Sequence, residues 1–518
     1  MGASQEKRRR QEAAKDGGFG KVTRAQEEAA KAKKTRRNTI IVIVVVLVCL
    51  AAALFVNSGY LRRNGTALRI GDSKISVADY NYFFNNTYYD YRSDITTYYP
   101  DYADTLLPKT TEPLSSQKYS DDMTWQDYFE NLTLNKMVPY YTAYEAAKAA
   151  GYQLSESGKS NIEAQIEAIR SAASQSTFAN IDDYLTAYYG RGMTADVFRK
   201  CAGIVLTASE YSESYKNSLT YTADQIADKK ADGSYDQYSF RRFTVISDTI
   251  NEENFTGDAD AYNAAVSAVN AIAKQEAEAI CKDIKSEEDF IAAASEYDST
   301  TYGAEDSTFV SVLSSDLTGT YADWVRDGAR KAGDTAVIEG DNGYDVLYFL
   351  EHSANDYNTI DVRVIGITPD SVDSSKYDDD EEYHKAVDEA LKAAEEKATA
   401  LYEEWKSGDA TEESFIEYAN TESVLSLDDG LAEYIHKGEL DAAMEEWCFS
   451  ADRKPGDTTV IASESSNCVY ILWYVGENDV YSDYLAETDL RSADYSTWYS
   501  GLTEGVEPQK AWLFRLTK

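Results

Sequence analysis

The stretch RKAGDTAVI, residues 330–338, recurs as RKPGDTTVI at residues 453–461. Trp324 and Trp447 each stand six residues before their copy, so the offset is 123 residues. In both copies a Gly-Asp pair precedes alternating apolar residues, which predicts a turn leading into a β-strand. The glycine of each pair is expected in a turn with positive φ. The sequence therefore contains an internal repeat.

Three further segments match in the same order around this stretch. FRRFTV at 240–245 matches VRVIGI at 362–367, EEDFIAAASEYDS at 287–299 matches EESFIEYANTES at 412–423, and VLYFL at 346–350 matches VYILW at 469–473. Each copy reads as a strand, an acidic loop, a long helix, a short helix, a Gly-Asp turn and a final strand. We therefore expect two α+β domains of one fold, residues 236–352 and 358–476.

Residues 57–235, before the repeat, carry helical patterns and few prolines, so we expect a helical domain there. The segment ALRIGDSKIS at 67–76 predicts a β-hairpin that turns at its Gly-Asp pair. Ser76 and Asp79 then form the pattern of a capping box, which opens a helix. After the repeat, residues 477–518 predict a C-terminal helical tail.

Aromatic residues are dense at the start of this helical domain, where residues 80–102 hold eight tyrosines. Tyr80, Phe84 and Tyr88 share one helix face. Tyrosine offers a large contact area at low entropic cost, so these three are candidate substrate-binding residues. Trp324 and Trp447 are further candidates, and core packing is the alternative for all five.

The N-terminal region predicts a membrane anchor. Residues 39–56, TIIVIVVVLVCLAAALFV, form an uncharged run of 18 residues that predicts a transmembrane helix. Residues 1–38 hold twelve Lys/Arg against five Asp/Glu, and such a basic flank is typical of the cytoplasmic side. We expect a single-pass membrane protein with a cytoplasmic tail and an extracytoplasmic body. A cleaved signal peptide is the alternative.

The remaining body is strongly acidic, with 38 basic and 85 acidic residues, which excludes nucleic acid as a partner. Its four cysteines show no zinc spacing, and no phosphate-binding loop, nucleophile elbow or metalloprotease motif occurs. No metal or cofactor is therefore expected. Cys448 and Cys468 are compatible with a disulfide or with buried free thiols.

The repeat unit resembles the parvulin-type peptidyl-prolyl isomerase family. The segments that carry the resemblance are FRRFTV, EEDFIAAAS, RKAGDTAVI and GYDVLYFL in the first copy, and VRVIGI, EESFIEYA, RKPGDTTVI and NCVYILW in the second. The N-terminal domain is similar to the helical chaperone domain of SurA- and PrsA-like extracytoplasmic foldases, on IGDSKISVADYN, AKAAGYQLSESG and GMTADVFRK. The resemblance covers residues 66–476. It implies an α+β multidomain protein with an N-terminal transmembrane helix, a helical chaperone-like domain, two tandem parvulin-like domains and a C-terminal helix.

The paired histidines of that family are missing. Their first position falls on Arg242 and Val364, and their second on Asp345 and Cys468. Arg242 with Asp345 is a polar pair in the first copy, whereas Val364 with Cys468 leaves the second copy almost without polar groups. We therefore expect isomerase activity to be weak or lost.

The resemblance implies a membrane-anchored extracytoplasmic chaperone or foldase that assists unfolded or nascent secreted polypeptides. An active peptidyl-prolyl cis-trans isomerase that works through a non-histidine network is one alternative. A non-catalytic surface scaffold or receptor is the other.

Overall fold

The computed structural model describes residues 3–16, 24–57, 59–377 and 379–517, with no side chains described in residues 13–32 and 51–57. The chain forms two compact units, one of residues 1–218 with 494–518 and one of residues 219–493. Up to residue 218 the elements are α1 (Ala3–Asp16), α2 (Arg24–Asn57), α3 (Tyr60–Asn64), β1 (Thr66–Ile70), β2 (Ser73–Ser76), α4 (Val77–Tyr98), α5 (Ala103–Leu106), α6 (Trp125–Ala149), α7 (Glu156–Ser174), α8 (Ile181–Tyr189) and α9 (Ala195–Ser218).

Beyond residue 218 the elements are α10 (Ala223–Lys230), β3 (Gln237–Ile246), α11 (Ala259–Asp283), α12 (Glu287–Tyr297), β4 (Phe309–Leu313), α13 (Ala322–Val325), β5 (Thr335–Gly340), β6 (Gly343–Ser353), β7 (Asn358–Ile367), α14 (Asp380–Ser407), α15 (Glu412–Glu422), β8 (Leu431–Ile435), α16 (Ala442–Cys448), β9 (Thr458–Ser463), β10 (Cys468–Val480), α17 (Tyr481–Thr503) and β11 (Gln509–Lys510). The sheets are all antiparallel.

The expected fold class is corrected at the N-terminus, where the predicted transmembrane helix is not found among the described residues. Residues 39–56 lie within α2, yet among the residues described no helix is long and apolar enough to cross a membrane. Arg36, Arg37 and Asn38 lie in the same helix directly before the run, so α2 is apolar over only part of its length. Residues 51–56, the end of the predicted span, lie outside the described side chains.

In the first unit, the hairpin and the capping box are confirmed. β1 and β2 pair across the Gly-Asp turn, and the Ser76 hydroxyl accepts a hydrogen bond from the Asp79 N–H at 3.1 Å. The Asp79 carboxylate accepts one from the Ser76 N–H at 3.0 Å and a second from Lys200 Nζ at 2.7 Å. Because the Asp79 side chain is only 2 % exposed, this contact fixes the start of α4 against α9.

The C-terminal residues complete the first unit rather than forming a separate tail. β11 pairs with β1, giving a sheet of order β11-β1-β2. The Phe514 ring lies edge-on to the Tyr80 ring at 4.9 Å, and Leu513 is 2 % exposed beside Ala67 and Val77. The core of this unit is therefore closed by side chains from the end of the chain.

The second unit contains two four-stranded sheets with one arrangement. Their orders are β4-β3-β6-β5 and β8-β7-β10-β9. One face of the first sheet packs on α11 and α12, and the same face of the second packs on α14 and α15. The opposite faces pack on α13 and on α16.

Two matched contacts fix which residues correspond. Arg241 Nε donates to Glu287 Oε1 at 2.8 Å, and Arg363 Nε donates to Glu412 Oε1 at 2.8 Å. This contact joins β3 to the start of α12 in the first copy and β7 to the start of α15 in the second.

The second matched contact is a backbone hydrogen bond made by the glycine of each Gly-Asp turn. The N–H of Gly333 donates to the Phe349 carbonyl, and that of Gly456 donates to the Tyr474 carbonyl, both at 2.8 Å. Gly333 has φ +91° and Gly456 has φ +90°, which confirms the predicted turn conformation. Phe349 and Tyr474 are therefore counterparts.

The repeat tryptophans belong to these turns. The Arg330 guanidinium lies 4.6 Å from the Trp324 ring centre, and the Arg453 guanidinium lies 4.0 Å from the Trp447 ring centre. The same arginines pair with Asp334 at 3.7 Å and Asp457 at 3.3 Å. In the best-matched stretch of the sequence, an arginine thus contacts both a tryptophan ring and the aspartate of the turn, and these contacts stabilise the turn.

Cys448 and Cys468 are both free and buried, which answers the question of a disulfide between them. Burial raises the pKa of the Cys448 thiol to about 12. Since the thiolate is the reactive form, we expect iodoacetamide at about pH 8 to spare Cys448 in the native protein and to label it after denaturation. The partly exposed Cys281 is the internal control for labelling. Mass spectrometry that found Cys448 and Cys468 linked would contradict this.

Candidate functional site

The registers of the two sheets locate the positions of the missing histidines. In the first repeat, Ile338 pairs with Asp345. In the second, its counterpart Ile461 pairs with Tyr470. Tyr470, rather than Cys468, therefore occupies the position of Asp345, and the sequence-based assignment of Cys468 is corrected. The β5–β6 connection has two residues and the β9–β10 connection has four, so counting along the chain slips by two.

In the first repeat the predicted polar pair is assembled. Arg242 Nε lies 3.2 Å from Asp345 Oδ1, although its N–H does not point at the carboxylate, so the contact is ionic. Thr244 Oγ1 donates to the same Asp345 oxygen at 2.7 Å. The Arg242 guanidinium also lies over the Tyr321 ring, 4.7 Å from its centre. The polar groups of this site therefore contact each other.

In the second repeat the counterparts of Arg242, Tyr321 and Asp345 are Val364, Met444 and Tyr470. They border an apolar groove of about 400 Å³ on the α16 side of the sheet. Its lining residues are Val364, Leu425, Ala432, Ile435, Glu439, Leu440, Asp441, Met444, Ser465, Ser466 and Tyr470. We call this cavity the second-repeat groove. The replacement of an ion pair by aliphatic side chains makes it a place for an apolar group.

A bulge in the edge strand β8 shapes one wall of the second-repeat groove. Ala432 pairs with Val362 and Ile435 pairs with Ile360, with a register shift between them. Residues 432 and 435 would face opposite sides of a regular strand, and the bulge turns both toward the groove. Tyr434 takes up the change with φ +57°, a strained conformation for a bulky residue.

Two contacts hold this strained residue in place. The Tyr434 N–H donates to Asp361 Oδ1 at 2.9 Å, and its ring stacks on Tyr484 at 4.4 Å. Strained backbone that is held by specific contacts often lies at functional sites, which agrees with its place beside the groove.

Polar groups stand at the rim of the groove. Tyr470 donates its hydroxyl to Ser466 Oγ at 3.0 Å, and burial raises the pKa of Tyr470, so this hydroxyl stays protonated at neutral pH. Glu439 and Asp441 supply carboxylates. These groups can hydrogen-bond or attract charge, but no histidine is among the lining residues to act as a proton carrier.

The candidate aromatic residues of the first unit lie in its core. Tyr80 is 1 % exposed and Phe84 is 9 % exposed. Tyr88 is partly buried, and its ring lies 5.2 Å from that of Phe129. In this structure the three rings pack in the unit, and only Tyr88 keeps part of its surface exposed.

The first unit does expose aromatic rings elsewhere. Phe178 is 37 % and Tyr188 is 44 % exposed, and the Tyr184 ring lies between them at 5.4 Å and 4.7 Å. No feature of the sequence set these rings apart from the buried ones, because both groups consist of tyrosines and phenylalanines.

The residues that sequence reasoning missed are Met444, Tyr470, Ala432 and Ile435. Met444 was within reach, because it precedes Trp447 by three residues as Tyr321 precedes Trp324. The described residues include no cluster of His, Cys, Asp and Glu able to hold a metal ion. When the sequence was compared with models of known protein families and with curated proteins, nothing matched.

Proposed function

We propose that this protein is a chaperone-type foldase that holds extended segments of unfolded polypeptides, with the second-repeat groove as a client site. One observation carries the proposal. The place that the Arg242–Asp345 ion pair occupies in the first repeat is an open apolar groove in the second repeat. Concave, mostly apolar cavities with a few polar groups are typical of binding sites.

A polypeptide suits the groove better than a compact small molecule. One wall comes from β8, which is an edge strand of its sheet. Edge strands carry backbone N–H and C=O groups that can pair with an added extended chain. A client could pair there while one of its apolar side chains enters the groove.

We propose that the prolyl isomerase activity of this protein is low. The barrier to that reaction is about 20 kcal/mol, and an enzyme lowers it by binding the twisted amide better than the planar forms. In the first repeat Asp345 is already engaged, by the ion pair with Arg242 and by the hydrogen bond from Thr244. In the second, Val364 and Met444 offer the amide no hydrogen bond.

The clients proposed are unfolded or nascent secreted polypeptides, and the strongly acidic body disfavours nucleic acid. A location outside the cytoplasm stays a prediction. The scaffold alternative differs in its expected partner, since a scaffold would bind one folded protein and ignore denatured ones.

We expect the full-length protein to suppress aggregation of a chemically denatured client while its proline-peptide turnover stays near background. A variant with Arg242→Gln and Asp345→Asn should suppress aggregation as well as the wild type, because apolar area drives holding. Circular dichroism checks that the variant is folded. Strong turnover that fell by about tenfold or more in this variant would favour the isomerase alternative instead.

A further inference from the structure

We infer that the second-repeat groove selects client segments in which a basic residue lies next to an apolar one. This inference rests on the proposed function and names its substrate class. It follows from the charged residues that line the groove, Glu439 and Asp441, which are both acidic.

The two carboxylates of the groove are held in place by backbone contacts. Glu439 Oε2 accepts a hydrogen bond from the His436 N–H at 3.2 Å and lies 3.7 Å from Nε2 of the same histidine, whose ring carries a charge only when it is protonated. The Glu439 side chain remains 50 % exposed. Asp441 Oδ1 accepts one from the Met444 N–H at 3.1 Å as the N-cap of α16. Because Leu440 lies between them in the chain, an apolar wall is flanked by negative charge on both sides.

No lysine or arginine lines the groove to neutralise these carboxylates. Lys437, in the same loop, lies over the Tyr357 ring at 4.7 Å and the Phe449 ring at 6.0 Å. Arg453, just after α16, is engaged with Trp447 and Asp457. A cation brought by a client is therefore the complement that the groove lacks.

The acidic body extends this preference beyond direct contact. A field of one sign attracts cationic segments and repels acidic ones, and salt screens it. Two solvent-exposed ion pairs give a preference of roughly three- to tenfold. The effect sets which segments bind, whereas the apolar groove supplies most of the affinity.

Three peptides that share one central leucine and differ only in its neighbours test the inference. The neighbours are lysine, glutamine or glutamate, and fluorescence anisotropy with the full-length protein gives the Kd values. We expect the lysine peptide to bind roughly three- to tenfold more tightly than the glutamine peptide, and the glutamate peptide to bind most weakly. Raising NaCl from about 50 to about 500 mM should remove most of the difference.

The matched variant carries Glu439→Gln and Asp441→Asn. Asparagine is as good an N-cap as aspartate, and both amides keep a carbonyl that can accept the backbone hydrogen bonds, so the groove keeps its shape. We expect this variant to lose most of the preference for the lysine peptide and to keep only the smaller part that the acidic body supplies.

The possible outcomes distinguish the preference for basic segments from the proposed client binding itself. Equal affinity of the wild type for the three peptides, or a preference that is undiminished in the variant, would overturn the inference and leave the groove as a client site. Failure of all three peptides to bind would overturn both.

Discussion

Replacing Phe514 by alanine is expected to lower the free energy of unfolding of the first unit by about 3–5 kcal/mol. Phe514 is 8 % exposed, and its ring packs against Tyr80 in the main core of that unit. The substitution removes a large buried ring and leaves a cavity that α4 and β1 cannot close without moving. Hydrogen exchange of the backbone amides in α4 reports this loss locally, since the two units need not unfold together.

The neighbouring Trp512 offers a matched control, because it is 62 % exposed. Trp512→Ala should change the free energy of unfolding by no more than about 0.5 kcal/mol. An equal, small effect of both substitutions would show that the end of the chain is not part of this core.

The second large effect is expected for client binding. Ala432→Trp places a large ring in the second-repeat groove, and Ala432 is only partly buried, so the strand can accept it. We expect the Kd for an apolar peptide to rise by about tenfold or more, a loss of about 1.4 kcal/mol. Aggregation suppression should fall in parallel, because the same apolar surface is covered.

The control is the same residue placed outside the groove. Val424 is 54 % exposed and is not among the groove residues, so Val424→Trp should leave the Kd unchanged. If both tryptophan variants bound the peptide as the wild type does, the client site would have to lie elsewhere.

The features that the sequence predicted well are those set by short segments. The capping box at Ser76 and Asp79 needs two residues three apart, and the turns at Gly333 and Gly456 need one residue without a side chain. Most matching pieces of the repeat were also visible, because each is a short pattern held by contacts such as Arg241 with Glu287. The match of VLYFL with VYILW is wrong by two residues, since Val346 corresponds to Ile471.

The features that it missed depend on distant parts of the chain. Pairing of β11 with β1 joins residues more than 400 positions apart, and no local pattern reveals it. The counterpart of Asp345 was misplaced because a connection is longer by two residues in the second copy. The sequence left a binding face and core packing open for Tyr80 and Phe84, because tyrosine and phenylalanine suit both, and the structure places the two rings in the core.

Photo-crosslinking of a bound peptide shows where on the protein a client lies. The peptide carries a photoreactive phenylalanine analogue at its apolar position, and mass spectrometry of the digested full-length protein maps the attachment. We expect crosslinks to the second-repeat groove, at Leu440, Met444 and Tyr470, and fewer of them in the Ala432→Trp variant. Crosslinks confined to the first repeat or to the first unit, unchanged by that substitution, would contradict the proposed client site.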